Sequence, residues 1–283
     1  MNNKYNVILS LGGIPLLIES ENRLFIELVK YAFKGFIAFD KKYIIKIKIV
    51  IDESRDTNAY SYGRPHRTSV ISESGKFFSR GSSYSGMFDI NTLTAEVSQS
   101  LAIAPLYLFL RFVVSVYLPL RGGIVAHSSS IARGGKCFLF LGKPQSGKST
   151  VAKLSAEYHI LSDDFSIIRK TNGIFAGFGS PFWGHVEVKG RNVGNRLFSI
   201  PIEGAYFLKH DNKPYTQKLS RKEALRELVS NIAILSKDKV VNTKILQTAE
   251  EFTNQVPAYY LYFKPDNSFW RAIENDKHVC SAK

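Results

Sequence analysis

The chain has 283 residues, 45% of them hydrophobic and 22% charged, which is the balance of an ordinary globular protein long enough to bury a sizeable core. Its 38 Lys and Arg against 24 Asp and Glu leave a net charge of +14, which suits nucleic acid, an anionic membrane surface, or an acidic protein or peptide. The basic residues are scattered and form no nucleic-acid motif, so no nucleic-acid partner is expected; Cys137 and Cys280 lie too far apart for a metal or disulfide pattern and point to a reducing, cytoplasmic setting.

From the start of the chain, residues 1–6 are polar and the next apolar stretch is broken by Gly12, Gly13 and Pro15, so no signal peptide is expected. Residues 5–9 and 43–50 are β-branched and alternate, which predicts strands. Between them, Leu24, Phe25, Leu28, Val29 and Ala32 fall on one face of a short helix. Residues 52–89 are rich in Ser, Gly, Tyr and Arg and read as turns with short strands, a stretch that could close over a site. Residues 91–120 read as helical. Within them, residues 101–120 have the length of a bilayer span, with Arg111 as the only charge. Pro105, Pro119 and the central Arg111 argue instead for a buried helix, so no membrane span is expected.

The chemistry gathers in residues 121–210. Cys137-Phe138-Leu139-Phe140-Leu141 is an apolar run that reads as a buried strand. It leads into Gly142-Lys143-Pro144-Gln145-Ser146-Gly147-Lys148-Ser149-Thr150, which fits the phosphate-binding pattern G-x-x-x-x-G-K-[ST]. Beyond it, Val151, Ala152, Leu154 and Ala156 recur at mostly helical spacing. A glycine-rich turn from strand to helix lets backbone N–H groups and the positive end of the helix hold a triphosphate. Gly142, Gln145, Ser146, Gly147, Lys148, Ser149 and Thr150 are therefore the candidate ATP-binding residues, with Lys148 reaching the β- and γ-phosphates and Ser149 ligating Mg²⁺. A plain glycine-rich turn is the alternative, and the two flanks argue against it.

Asp163-Asp164 reads as the end of the next strand. Adjacent carboxylates there can divide labour, one helping to hold Mg²⁺ and the other taking a proton from an attacking hydroxyl. Asp-Asp is also a common turn or helix cap. His127 lies in Val125-Ala126-His127-Ser128-Ser129-Ser130, where the strand over residues 123–126 would pair near the strand of the loop and bring His127 close to the phosphates. A lone His after an apolar run is otherwise a hydrogen-bonded core residue. Further on, residues 205–208 and 259–263 predict strands, and residues 244–251 a helix. Residues 221–235 predict an amphipathic helix with Ser220 as N-cap and Leu225, Leu228, Val229, Ile232 and Leu235 inward.

Taken together, a glycine followed by His-x-Ser, a strand, the phosphate loop, a helix and an Asp-Asp pair resembles the HPr kinase and phosphoenolpyruvate carboxykinase superfamily of P-loop proteins. The matching residues are Gly123, His127-Ser128-Ser129, Phe138 to Leu141, Gly142 to Thr150 and Ser162-Asp163-Asp164. The likeness is closest over residues 120–170, extends more loosely to about 235, and is slight elsewhere. Residues 179–184 and 201–208 also look like segments of that group. The resemblance implies an ATP- and Mg²⁺-dependent kinase acting on a Ser or Thr hydroxyl of a protein or peptide, and the basic balance suits an acidic one. It implies Asp163 as general base, His127 beside the transferring phosphoryl group, Lys148 on the phosphates, Asp164 and Ser149 at the metal, and a homo-oligomer. Arg191, in Lys189-Gly190-Arg191-Asn192, is a weaker candidate for a further positive charge.

The sequence departs from the family at Pro144-Gln145, where Ser-Gly is usual: Gln adds a side chain and Pro removes an N–H donor. The alternative is thus a degenerate, non-catalytic nucleotide-binding module. Residues 189–192 only partly echo the signature of the bifunctional kinase/phosphorylases, so phosphorolysis is not expected. A decarboxylating carboxykinase would be much longer and would need arginines that find no place here. The expected fold class is α/β: a small β-rich N-terminal region over residues 1–95, a mixed β-sheet core with the phosphate loop over 96–240, and an α+β extension over 241–283.

Overall fold

The computed structural model describes residues 4–55, 69–182, 198–233 and 237–280. Expectations that fall on residues 56–68, 183–184, 189–192 and 235 lie outside it. The fold is mixed α/β, with two mixed sheets. The chain divides into two compact units, one built chiefly from Met1–Arg121, the other chiefly from Gly122–Asn192, Ser199–Ala233 and Lys244–Lys283.

The first unit carries β1 (Tyr5–Leu11), β2 (Ile14–Ser20), α1 (Arg23–Ala32), β3 (Ile45–Ile51), β4 (Ser69–Glu73), β5 (Lys76–Arg80), β6 (Tyr84–Asp89), β7 (Thr94–Gln99) and α2 (Ile103–Tyr117). Its sheet runs β1-β2-β3-β7-β6-β5-β4. Gly12 and Gly13 supply the two positive φ values (61° and 71°) that a tight β1–β2 hairpin needs. The chain then crosses through α1 so that β2 and β3 pair in parallel, and β3 pairs in parallel with β7.

On β3, Ile45, Ile47 and Ile49 point into the core, while Lys46 and Lys48 reach Glu19 and Glu96 at 2.9 and 3.1 Å on the other face. On α1, Phe25, Ile26 and Val29 are buried, whereas Leu24 and Leu28 are 61% and 37% exposed, so the buried stripe sits about one residue round from the expected one. Residues 94–99 correct the helical expectation for 91–120: Ala95, Val97 and Gln99 are buried at a period of two, which makes β7.

The helix expected over 101–120 is α2. Residues 103–121 are long and apolar enough to cross a membrane, and 67% of that stretch is buried within the folded chain. Phe109 meets Tyr84 edge-on at 6.2 Å and Tyr117 meets Phe88 at 6.3 Å, so α2 packs against the strands as a core helix.

The second unit carries β8 (Gly123–Arg133), β9 (Lys136–Leu141), α3 (Lys148–Leu154), β10 (His159–Ser162), β11 (Phe165–Thr171), β12 (Ile174–Phe178), β13 (Ser199–His210), β14 (Tyr215–Lys218), α4 (Arg221–Val229), β15 (Ala258–Phe263) and α6 (Ser268–Cys280), with α5 (Lys239–Gln255) entering it from Lys244. β9, β13 and β15 run parallel, and β8 runs antiparallel to β9. Phe138, Phe140, Tyr206, Phe263, Phe269 and Trp270 form a core beneath these strands. Each such side chain stabilises the fold by about 1.5–3 kcal/mol.

α4 is capped by Ser220 as expected, with a capping box to Glu223. It ends at Val229, not 235, because Ser230 and Asn231 turn the chain and Ile232 then bridges to Ala126 of β8. The helix expected from 151 to 158 is the shorter α3, which stops at Leu154, where the Ser155 N–H bonds back to Val151 and Ala152.

Candidate functional site

The site is built around β8. On one side, Ser128 stands opposite Leu141, the last residue of β9 before Gly142. On the other side, β10 and β11 behave as one long strand interrupted at Asp163-Asp164. The register is the same at Ser162↔Ser130 as at Phe165↔His127, which sets Asp163 opposite Ser129 and Asp164 opposite Ser128. The Ser128 N–H donates to the Asp164 carbonyl at 3.0 Å and so continues the ladder through the interruption. The start of the glycine-rich turn and the carboxylate pair are therefore separated by two strand spacings, about 10 Å.

Ser129 fastens the two sides together. Its hydroxyl lies 3.0 Å from both the Lys148 carbonyl at the start of α3 and the Asp163 carbonyl. His127 and Ser129 share a face of β8, since alternate residues of a strand do. The His127 ring sits edge-on to Phe165 at 5.5 Å and is half-buried. Asp163 is 1% exposed, while Asp164 is half-buried and more open.

The turn from β9 to α3 has the backbone that its glycines permit. Gly147 has φ 100°, and a Cβ there would come within 2.6 Å of the Phe263 ring. A Cβ on Gly142 would collide with the Ser146 hydroxyl. Gln145 also takes a left-handed φ of 65°, a strained choice for a residue with a side chain. The Ser146 N–H closes the turn on the Lys143 carbonyl at 3.1 Å, and the buried Ser146 hydroxyl has no hydrogen-bond partner among the described residues.

Lys148 Nζ folds back onto the turn, donating to the Gly142 carbonyl at 2.6 Å and the Lys143 carbonyl at 2.9 Å. Burial lowers its pKa, and the nearby Asp164 carboxylate works in the opposite direction. Ser149 is exposed one residue further, and Thr150 is half-buried. The turn, Lys148 and the Asp pair thus lie around one stretch of β8. Arg191 lies outside the described residues.

Two participants escape the motif. Asn231, just past α4, accepts from the Gly142 N–H on its side-chain oxygen at 3.1 Å and from the His127 N–H on its backbone carbonyl at 2.8 Å. Its own amide is held by the Glu227 carbonyl at 2.8 Å. The only signal in the sequence is an Asn in the turn after an amphipathic helix, which says nothing of a partner some ninety residues away. His210, at the end of β13, lies 3.3 Å from the Gln145 carbonyl through Nε2. A carbonyl can only accept, so Nε2 is the donor in this contact.

Chemically, the arrangement offers a backbone turn and a lysine suited to an oxyanion, with two carboxylates a fixed distance away. Among the described residues, no three His, Cys, Asp or Glu side chains cluster as a protein-only metal site.

Among solved structures, the chain is similar to the HPr(Ser) kinase/phosphatase from Coxiella burnetii, at a TM-score of 0.33 and 11% identity over 56% of this chain and 93% of that one. A likeness so slight carries no argument about function. No curated protein matches the chain. Residues 92–278, well over half of its length and including the whole arrangement around β8, match the family described as SynChlorMet cassette protein ScmC. The chain belongs to the ScmC family.

Proposed function

We propose that this protein is an ATP- and Mg²⁺-dependent kinase that transfers the γ-phosphoryl group to a Ser or Thr hydroxyl of a protein or peptide. The observation that carries the reading is the β8 ladder, which holds a turn of phosphate-binding sequence and the Asp163-Asp164 pair at one fixed separation, joined through Ser129. The turn would receive the β- and γ-phosphates on its N–H groups. Lys148 would exchange its two loop carbonyls for phosphate oxygens.

Transfer forms a bond between the substrate hydroxyl oxygen and the γ-phosphorus and breaks the bond from that phosphorus to the β–γ bridging oxygen. The hydroxyl proton passes to a carboxylate, assigned to Asp163. Asp163 is almost wholly buried, so it meets a hydroxyl only where substrate binding uncovers it. The Ser149 hydroxyl and the Asp164 carboxylate are hard oxygen donors of the kind that share Mg²⁺ with phosphate oxygens. Bound there, Mg²⁺ supplies neutralisation of phosphate charge. His127, on the same face of β8 as Ser129, would stand beside the transferring group.

The deciding experiment is phosphate transfer from labelled ATP, with Mg²⁺, to proteins of the source cell's lysate. A discrete labelled band that is absent with Asp163→Asn supports the kinase. A second reading, a non-catalytic nucleotide-binding module, is favoured by the strained Gln145 and by Pro144, which removes a donor from the turn. ATP binding without transfer to any acceptor would select it. Unchanged transfer by Asp163→Asn would overturn the assignment of the base.

A further inference from the structure

The three parallel strands β9, β13 and β15 end side by side, and each is followed by a loop on the same edge of the sheet. Ligands of such sheets lie in the crevice outside the carboxyl ends of the strands. The loop after β9 is the glycine-rich turn. The loops after β13 and β15 border an open cavity of about 460 Å³ lined by His210, Asp211, Asn212, Phe263, Lys264 and Pro265. That volume falls within the range of small-molecule sites.

The cavity adjoins the turn directly. His210 Nε2 donates to the Gln145 carbonyl at 3.3 Å, and the Phe263 ring lies 2.6 Å from where a Cβ on Gly147 would be. The two loops of the cavity are joined by the Asp211 N–H, which donates to the Phe263 carbonyl at 3.1 Å.

We propose that this cavity takes the nucleoside of the nucleotide, and so decides whether the turn binds a nucleotide or any polyphosphate. The inference rests on the kinase reading above, since it needs phosphates in the turn. Three features fit a base and ribose. The His210 ring lies at 24° to Phe263, with centroids 5.8 Å apart, and is exposed on its outer side, where it offers a flat face for stacking. With Nε2 turned to the Gln145 carbonyl, Nδ1 is left as the second polar atom of the ring. Asn212, exposed at the rim, offers an amide donor and acceptor for the base edge or a ribose hydroxyl. Lys264 is held by Asp266 at 3.0 Å and Asp211 by the Lys213 N–H at 3.0 Å, so neither is the principal recognition group.

The test compares Mg·ATP with magnesium tripolyphosphate, by calorimetry on the full chain, in wild type and in a His210→Ala, Asn212→Ala double variant. Both positions are exposed, so the variant should fold, and tripolyphosphate binding reports on the turn. Wild type should bind ATP about tenfold more tightly than tripolyphosphate. In the variant that preference should vanish, ATP affinity falling to that of tripolyphosphate, while loss of the His210–Gln145 contact acts on both ligands alike. Equal weakening of both ligands, or of neither, would overturn the nucleoside site while leaving the phosphate turn in place. Failure of wild type to bind either ligand would overturn both.

Discussion

Each unit contains three parallel strands with their carboxyl ends side by side: β2, β3 and β7 in the first, β9, β13 and β15 in the second. Both therefore have a crevice where topology puts one. The crevice of the first unit, about 450 Å³, is lined by Lys4, Glu19, Glu21, Lys48 and Glu53 among others. Its Ser20 and Asn22 side chains are already spent within the fold. The Ser20 hydroxyl donates to the Ile49 carbonyl and accepts from the Asn22 N–H, and Asn22 caps α1. Next to the crevice, Asp52 is held by Ser54 and Arg55, which draw its carboxyl below the ordinary range. In the second unit the Ser146 hydroxyl is without a partner among the described residues, and Lys148 bonds only to carbonyls that a phosphate can displace. Topology supplies a crevice, and unspent hydrogen-bonding capacity makes one of them a candidate site.

That contrast breaks most visibly at the carboxylates. Asp163→Asn should cost about 10²–10⁴-fold in phosphate transfer, the usual value of a positioned base, with ATP affinity retained. Asp164→Asn should instead raise the Mg²⁺ concentration needed for half-maximal transfer. If both variants change only the Mg²⁺ requirement, neither carboxylate is the base. Next in size, Lys148→Ala should weaken ATP binding about 10–100-fold, the range for a hydrogen bond to a charged group. Lys48→Ala, in the crevice of the first unit, should leave it unchanged. Titration calorimetry on the two variants sharpens the comparison directly.

The pH dependence carries the same information. Lys148 sits below its ordinary value of 10.5 because it is partly buried. As pH rises through the lowered value, the free protein loses the proton that a bound triphosphate requires, so ATP affinity should fall there, before 10.5 is reached. Folding stability moves the other way, since in that window the unfolded chain binds more protons than the folded one. Proton uptake on binding, measured in buffers of different ionisation heat, checks the sign. Between glycines, Gly147→Ala should destabilise by about 1–3 kcal/mol through backbone strain and the clash with Phe263. Gly173→Ala, at φ 80° with open space around it, should cost only the strain, about 1 kcal/mol. Thermal melts separate the two. Smallest of all, native Cys137 should resist alkylation, because burial pushes its thiol up to about 12.

The legible part of this molecule is the part made of consecutive residues. The turn from Gly142 to Thr150 shows in the sequence because its backbone needs glycine at Gly142 and Gly147. β9 and the capped start of α4 show for similar local reasons. β7 was hidden because its six residues, half of them polar and exposed or partly so, adjoin the strongly apolar α2. Asn231 and His210 were hidden because their partners, Gly142 and Gln145, are brought to them only by tertiary folding. The same holds for the position of the Asp pair. The sequence says that two carboxylates follow a strand, and only the register across β8 says how far they stand from the turn.

That register works as a gauge. The gap between the two halves of the site is measured in strand spacings, so it cannot drift by fractions of an ångström as loops lengthen or shorten elsewhere. A variant chain can change which side chains face the gap, but to change the gap itself it must slip a strand, and a one-residue slip turns every side chain of that strand to the wrong face. The chemistry near β8 should therefore be revised by substitution, and insertions should accumulate everywhere else.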